Sequence, residues 1–143
     1  MGLSACDFNC DLVIVGGGLA ALAAAISAAD SGATVLVVNK GVTGNSGSSA
    51  KAAGILAAAF GHGDLKNRPV LDTPEKHAQD TLEVGHHISD TKLVHFVAQK
   101  AKSAIEWLES FGVEFSQAND GGYVQLNAPG NSCPRAVSAL GGG

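Results

Sequence analysis

The chain has 143 residues, a net charge of −4 and 45% hydrophobic residues, which is typical of one globular domain with its own core. This charge argues against nucleic acid and anionic membranes as partners, because both attract clustered Lys and Arg. Three cysteines (Cys6, Cys10 and Cys133) are too few for a disulfide framework and lack metal-ligand spacing. We therefore expect reduced thiols, no metal and a cytoplasmic protein.

The N-terminal part predicts a strand, a helix and a second strand. Asp11–Val15 and Thr34–Val38 are short β-branched runs, typical of strands buried on both faces. Between them, Leu19–Ala29 has larger apolar residues at helical spacing, and Gly32 can end this helix in a left-handed conformation. Short connections predict a right-handed crossover and a parallel strand pair. The uncharged stretch 12–29 thus divides into separate elements and does not predict a membrane span.

Two further helices are predicted from their capping residues. Thr73 and Pro74 have the pattern of an N-cap followed by proline at the first helical position, and this helix ends near Gly85. Asp90 caps the next helix, which Gly112 ends and which packs by one apolar stripe. The stripe consists of Leu93, Phe96, Val97, Ala101, Ala104, Ile105 and Leu108.

The remaining segments have weaker patterns. Ala52–Ala58 is compatible with a helix start or a strand edge, and Gly61–Asp72 is interpreted as a polar loop. Val113–Phe115 predicts a short strand, and the chain beyond Ser116 predicts loop structure because Gly, Asn and Pro are frequent there. The histidines are interpreted as surface or half-buried side chains without a catalytic role: His62, His77, His86, His87 and His95.

A glycine-rich turn follows the first strand. Gly16-Gly17-Gly18-Leu19-Ala20-Ala21 is the dinucleotide fingerprint with alanine in its third small position. Gly16 permits the tight turn, Gly17 lets backbone amides approach a pyrophosphate, and the helix N-terminus favours the phosphate charge. An ordinary glycine turn is the alternative, which the strand–helix–strand context disfavours. Asn39 ends the second strand, where an acidic residue usually binds a ribose, and it is either an uncharged ribose contact or part of a strand-end turn.

The order and spacing of these motifs resemble the N-terminal part of the fumarate reductase, succinate dehydrogenase and L-aspartate oxidase flavoproteins. The resemblance covers Asp11–Gly18, the Asn39-Lys40-Gly41 turn, the Ser46–Ala58 loop and Asp72–Phe115. Its most specific pieces are Thr73–Leu82 and Trp107–Phe115, and it is strongest toward the L-aspartate oxidase branch.

The resemblance implies an α/β, Rossmann-like FAD-binding domain, a parallel sheet with crossover helices, of which residues 1–143 are the N-terminal portion. It implies FAD in the glycine turn, held non-covalently because Gly47 stands near the histidine that carries covalent flavin in other branches. A loop of small and hydroxyl residues would wrap the pyrophosphate and the isoalloxazine ring, the alternative being a flexible Gly/Ser linker. The implied FAD-binding residues are Gly16, Gly18, Leu19, Ala20, Ala21, Asn39, Lys40, Gly41, Asn45, Ser46, Gly47, Ser48, Ser49, Ala53 and Gly54.

The C-terminal part departs from the family pattern. Gly130–Arg135 resembles the family's G-H-S-x-x-R segment, with Asn131 in place of histidine. Ala128 and Pro129 stand where the L-aspartate oxidase branch has a glutamate associated with the substrate amino group, which weakens the case for aspartate as substrate. Arg135 is interpreted equally as a contact to substrate or flavin loop and as a surface arginine.

The resemblance implies a flavoprotein oxidase or dehydrogenase that transfers hydride between flavin N5 and a small amino acid or dicarboxylic acid. Family members are several times longer, so a second polypeptide or a missing C-terminal part would complete the sheet and supply the substrate-capping domain. We therefore expect a hetero-oligomer whose catalytic residues lie elsewhere. A succinate- or fumarate-type enzyme is one alternative. A non-catalytic nucleotide-binding module is the other, although it would have no use for the Ser46–Ala58 and Thr73–Val84 segments.

Overall fold

The computed structural model describes residues 8–61, 63–64 and 69–141. Cys6, with its expected reduced thiol, and His62 lie outside these ranges. The chain forms two compact units, Met1–Ala52 and Ala53–Gly143. Within the described ranges, no helix combines the length and the apolar character that crossing a membrane requires.

The first unit contains the predicted strand–helix–strand pattern. Its elements are β1 (Leu12–Val15), α1 (Leu19–Asp30) and β2 (Val35–Val38), and a short 3-10 helix follows at Ser49–Lys51. The two strands pair in parallel, with Leu12 opposite Val35 and Val15 opposite Val38, which confirms the prediction. Asp11 lies just before β1, and its carboxylate accepts a hydrogen bond from the Thr34 N–H, just before β2, at 2.8 Å. This contact joins the starts of the two strands. Gly32 has the predicted left-handed conformation, with φ of +87°.

The strands of the first unit are more exposed than predicted. Among the described residues 8–52, Gly17 is the only one classed as buried, and Val15 is 85% exposed. A parallel sheet is normally covered by flanking strands and by helices on both faces. The described part of this unit has two strands and one long helix, so the apolar pattern of β1 and β2 is that of a wider sheet than these residues form.

The helices of the second unit are α2 (Pro74–Val84) and α3 (Thr91–Ser110), which pack against each other. Both predicted caps are confirmed. The Thr73 hydroxyl accepts a hydrogen bond from the Lys76 N–H at 3.2 Å, and the Asp90 carboxylate accepts one from the Leu93 N–H at 3.0 Å. Each cap satisfies an N–H group that the first turn of a helix leaves without an intrahelical partner.

The strands of the second unit are short. They are β3 (Ile55–Ala57), β4 (Gly63–Asp64), β5 (Pro69–Val70) and β6 (Ala136–Ser138), and they form the antiparallel pairs β3–β6 and β4–β5. β3 resolves the open alternative for Ala52–Ala58 in favour of a strand. The prediction of loop structure beyond Ser116 is wrong at β6, and the polar loop before Thr73 contains β4 and β5. Runs of two or three residues carry too little periodicity to be recognised in a sequence.

The core of the second unit lies between α3 and the β3–β6 pair. Ala58, Ile105, Phe115 and Val137 are buried there. Phe115 forms an isolated bridge to Ala139 and no strand of its own, so the short strand predicted at Val113–Phe115 is reduced to one bridge. The C-terminal half of the α3 stripe contacts this core through Ala101 and Leu108. Its N-terminal half stays more than half exposed, at Leu93, Phe96 and Val97.

Candidate functional site

The glycine turn between β1 and α1 leaves the N-terminus of α1 open to a ligand. Gly16 has φ of +121°, and its N–H donates to the Val38 carbonyl at 2.7 Å, which ties the turn to β2. Gly18 is the N-cap and has no side chain with which to cap the helix. Within the described ranges, no acceptor is paired with the N–H of Ala20 or Ala21. These donors and the helix dipole favour an anion at this point.

Gly17 makes room for residues of the protein itself. A Cβ at Gly17 would overlap the Asn39 side-chain amide and lie 3.2 Å from the Thr43 Cα atom. The Gly17 carbonyl accepts a hydrogen bond from the Gly44 N–H at 3.3 Å. The second glycine of the fingerprint is therefore needed for close packing of the strand end and of the following loop, in addition to any approach to a pyrophosphate.

Hydroxyl groups of the loop after β2 contact the glycine turn. The Ser49 Oγ atom accepts a hydrogen bond from the Leu19 N–H at 3.2 Å, and a Cβ at Gly18 would lie 3.0 Å from the same oxygen. The Ser46 Oγ atom accepts from Asn39 at 3.3 Å and donates to the Val42 carbonyl at 2.9 Å. The loop thus has defined contacts with the turn, which a flexible Gly/Ser linker would lack.

The structure brings most of the predicted FAD-binding residues into the first unit. Gly41 packs against Ser46, since a Cβ there would lie 2.9 Å from the Ser46 Oγ atom. Several predicted residues are exposed to solvent: Lys40, Asn45, Gly47 and Ser48. Ala53 and Gly54 belong to the second unit. There the Gly54 carbonyl accepts a hydrogen bond from the Ala139 N–H at 2.8 Å.

A buried charge cluster in the second unit was missed in the sequence. The Arg135 side chain is fully buried and binds Asp72 with two parallel hydrogen bonds, Nε to Oδ2 at 3.0 Å and Nη2 to Oδ1 at 2.7 Å. Its Nη1 atom donates to Asp80 at 2.5 Å and to Asn131 at 3.3 Å. The interpretation of Arg135 as a surface arginine is therefore wrong, because two carboxylates hold it inside the protein.

The cluster shifts the pKa values of its members. Burial raises the pKa of Asp80, but hydrogen bonds from Ser132 and Arg135 outweigh this effect, and the pKa is lowered overall. Burial also opposes the charge of Arg135, yet the two carboxylates raise its pKa. Beside the cluster, burial and the charge of Arg135 lower the pKa of His77, against the weaker influence of Asp72 and Asp80.

The sequence contained no local signal for this cluster. Asp80 is buried on α2, but residues two positions apart point to different sides of a helix, so the apolar neighbours Ala78 and Leu82 do not mark its side as buried. The partner, Arg135, is 55 residues away in the chain. A single sequence does not say which basic residue reaches Asp80, because the pairing depends on how α2 and β6 pack.

Comparisons with known proteins identify the family. The sequence profile of the FAD-binding domain matches residues 11–142. The chain is 35% identical over 118 residues to a fumarate reductase (cytochrome) of Shewanella frigidimarina, covering 82% of this chain and 20% of that protein. It is 35% identical over 114 residues to an L-aspartate oxidase of Vibrio cholerae, covering 80% of this chain and 19% of the relative. The fold matches the apo Mycobacterium smegmatis Sdh1 complex with a TM-score of 0.80 and 30% identity, covering 93% and 21% of the two chains.

The residues of the glycine turn fit the cofactor of this family. The backbone donors of Ala20 and Ala21 suit a diphosphate, and the N-cap Gly18 has no side chain that could take the place of a ligand there. The chain spans about a fifth of the length of these relatives. The fingerprint, the loop after β2 and the matching profile lie on one polypeptide, and the chain belongs to the FAD-binding domain family and resembles the FAD-binding region of fumarate reductases and L-aspartate oxidases.

Proposed function

We propose that this chain is the FAD-binding part of an oxidoreductase that acts on a small amino acid or dicarboxylic acid. The strongest support for this proposal is the packing of the loop after β2, which contains Ser46 and Ser49, on the glycine turn. The packing includes the Leu19–Ser49 hydrogen bond and the contact of Asn39 with Gly17. An isolated glycine turn has no such loop. The likeness to a fumarate reductase and to an L-aspartate oxidase supports the substrate class.

Each group of residues has a separate task in this proposal. The N–H groups at the start of α1, from Leu19 to Ala21, bind the diphosphate, and Gly16 and Gly18 keep the approach to them free. Asn39, with Lys40 and Gly41 after it, contacts the ribose. The loop residues from Asn45 to Ser49 enclose the pyrophosphate, and Ala53 and Gly54 contact the isoalloxazine ring. When bound, FAD supplies the N5 position that exchanges hydride with substrate.

The binding is proposed to be non-covalent. Gly47, which stands near the position of the flavin-linked histidine in other branches, has no side chain that could form such a bond. The groups that bind substrate and move protons are proposed to lie on a second polypeptide or on a further part of the same protein. In the described part of the chain, Cys10 and Cys133 form no disulfide, which agrees with the reducing, cytoplasmic location that we propose.

A succinate- or fumarate-type enzyme is the second candidate. It is favoured by the likeness to the Shewanella fumarate reductase and to the Mycobacterium smegmatis Sdh1 complex. It is also favoured by Ala128 and Pro129, which provide no carboxylate near the segment that resembles the substrate region of L-aspartate oxidase. Succinate, fumarate and aspartate, tested in turn as substrates of the purified complex, distinguish the two candidates.

The first prediction concerns the cofactor itself. The full polypeptide that contains this sequence, purified with any chain that accompanies it, should be yellow and show flavin absorption. Acid precipitation should release FAD into the supernatant, whereas flavin retained in the pellet would contradict non-covalent binding. A Gly17→Ala variant should bind FAD at least about tenfold more weakly, because the new methyl group displaces Asn39 and the loop backbone.

Gly122→Ala is the matched control for this variant. Gly122 is exposed, and the nearest atom to a Cβ there is the end of the Asp120 side chain, at 3.3 Å. This substitution adds the same methyl group away from the turn and should leave the FAD affinity unchanged. A colourless protein that binds no added FAD would contradict the proposed function and favour the non-catalytic module.

A further inference from the structure

We propose that Arg135, Asp72 and Asp80 form a buried positioning cluster that holds the Ala53–Gly54 segment in its FAD-binding conformation. The proposal rests on the proposed function, in which this segment contacts the flavin ring. It gives Arg135 a role different from both sequence interpretations, since the side chain would act through the backbone of β6 and not by touching cofactor or substrate.

The cluster joins three segments that are distant in the chain. Asp72 immediately precedes the cap of α2, Asp80 lies within α2, and Arg135 is the residue before β6. The side chains of Arg135 and Asp72 have no exposed surface, and that of Asp80 is 10% exposed. Because all three guanidinium nitrogens donate to these carboxylates, the end of the loop before β6 is fixed to α2.

The backbone transmits this constraint from Arg135 to Gly54. The Arg135 carbonyl accepts a hydrogen bond from the Ala58 N–H at 3.0 Å, at the end of β3. β6 then pairs with β3 along its length, and the Ala139 N–H donates to the Gly54 carbonyl at 2.8 Å. Gly54 immediately precedes β3 and has a left-handed conformation, with φ of +69°. The hydrogen bond from Ala139 holds this residue in place. It therefore also fixes the path of the backbone from Ala53 into β3.

Arginine is required at this position for a physical reason. Only a guanidinium can donate two parallel hydrogen bonds to one carboxylate and a third to another, and a lysine ammonium lacks this planar fork. Asp72→Asn keeps Arg135 paired with the charge of Asp80, but an amide has only one acceptor oxygen, so one of the two parallel hydrogen bonds is lost and an N–H group faces the guanidinium. We therefore expect changes at either residue to shift β6 and, through it, the carbonyl of Gly54.

The test compares three cluster variants with a core variant of the same unit. Arg135→Lys, Asp72→Asn and Asp80→Asn alter the cluster, whereas Ile105→Val weakens the packing of α3 without changing a group of the cluster. FAD affinity and the visible spectrum of bound flavin are measured on the full polypeptide, at a temperature at which its melting curve shows each variant folded. The cluster variants should bind FAD about tenfold or more weakly, as expected for the loss of one or two cofactor hydrogen bonds, and should shift the flavin band. Ile105→Val should lower the melting temperature and leave both readouts unchanged.

The outcomes separate this proposal from the proposed function. A wild-type protein that binds no FAD overturns the proposed function and this inference with it. A wild-type protein that binds FAD, with folded cluster variants that keep its affinity and spectrum, overturns the positioning role alone. If every cluster variant, including the partly exposed Asp80→Asn, loses its melting transition, the cluster serves folding itself, and the positioning role is again overturned.

Discussion

At the scale of single residues, His77 agrees with the interpretation of the histidines as surface or half-buried side chains. It is half-buried beside Asp72, Asp80 and Arg135. Its Nδ1 atom is buried without a hydrogen-bond partner in the described part of the chain. On its other side, His77 lines a groove of about 250 Å³ between α2 and α3 together with Asp90 and apolar residues of α3. Burial and the positive charge of Arg135 therefore favour the neutral imidazole.

This environment predicts a pH dependence of stability. The pKa of His77 is lowered from 6.5 in the folded protein, so below that pH the unfolded chain binds a proton that the folded chain does not. The contribution of neutral His77 to the free energy of unfolding is fully present above pH 6.5 and is lost as pH falls through the pKa that this histidine has in the folded protein. The melting temperature should therefore fall as the pH decreases below about 6.5, and His77→Gln should reduce this slope. The exposed His86, changed to Asn, is the control and should leave the slope in place.

Asp80 adds a second and separate pH window. The pKa of Asp80 in the folded protein lies below its ordinary value of 3.8. The contribution of the ionised carboxylate to the free energy of unfolding is therefore present above pH 3.8 and disappears only as pH falls through the folded-state pKa. Melting curves below about pH 4 include the contribution of Asp80, and those just below pH 6.5 include that of His77. A slope in the upper window that persists in the His77→Gln variant would contradict the environment described for this histidine.

At the scale of elements, local sequence determines how well an element can be predicted. The start of α2 at Thr73-Pro74 and of α3 at Asp90 could be predicted because a cap is a contact between near neighbours, as the hydrogen bond from Leu93 to Asp90 shows. β6 and the cluster of Arg135 could not, because their partners lie 52 to 83 residues away or in short segments without periodicity. The glycine turn could be predicted, but its contact with Ser49 could not, for the same reason.

The caps give a prediction at this scale. Asp90→Ala removes the acceptor of the Leu93 N–H and should reduce the free energy of unfolding by about 1 kcal/mol, the usual cost of losing a helix cap. Asp90→Asn keeps an acceptor oxygen at the N-cap and should cost less than Asp90→Ala. Urea unfolding followed by circular dichroism measures both changes, and equal stability of the alanine variant and the wild type would contradict the assigned cap.

At the scale of the whole molecule, the two units differ in how much they bury. The second unit has a core of Ile105, Phe115, Val137 and Ala58. In the described residues of the first unit, only Gly17 is buried, and two paired strands without further cover are marginal in water. The resemblance to longer flavoproteins, of which this chain spans about a fifth, agrees with strands whose sequence is suited to a wider sheet.

Native-state hydrogen exchange tests this difference. In the isolated 143-residue chain, amides of β1 and β2 should exchange faster than those in the middle of α3. Ile105→Ala should destabilise the second unit by about 2–5 kcal/mol and accelerate exchange in α3, because it leaves a cavity in the core. Glu106→Ala, an exposed change on the same helix, is its control. Strand amides protected as strongly as those of α3 would contradict the marginal stability of the first unit.

The Leu19–Ser49 hydrogen bond has a consequence for where an anion would bind the turn. Helix α1 takes the acceptor for its first N–H from a serine 30 residues further along the chain. An anion that binds the Leu19 N–H must displace or share with that hydroxyl, so its net gain there is a difference between two hydrogen bonds. Within the described ranges, the N–H groups of Ala20 and Ala21 have no acceptor to give up. A charge-assisted bond to these two groups therefore carries the larger net gain for a bound diphosphate.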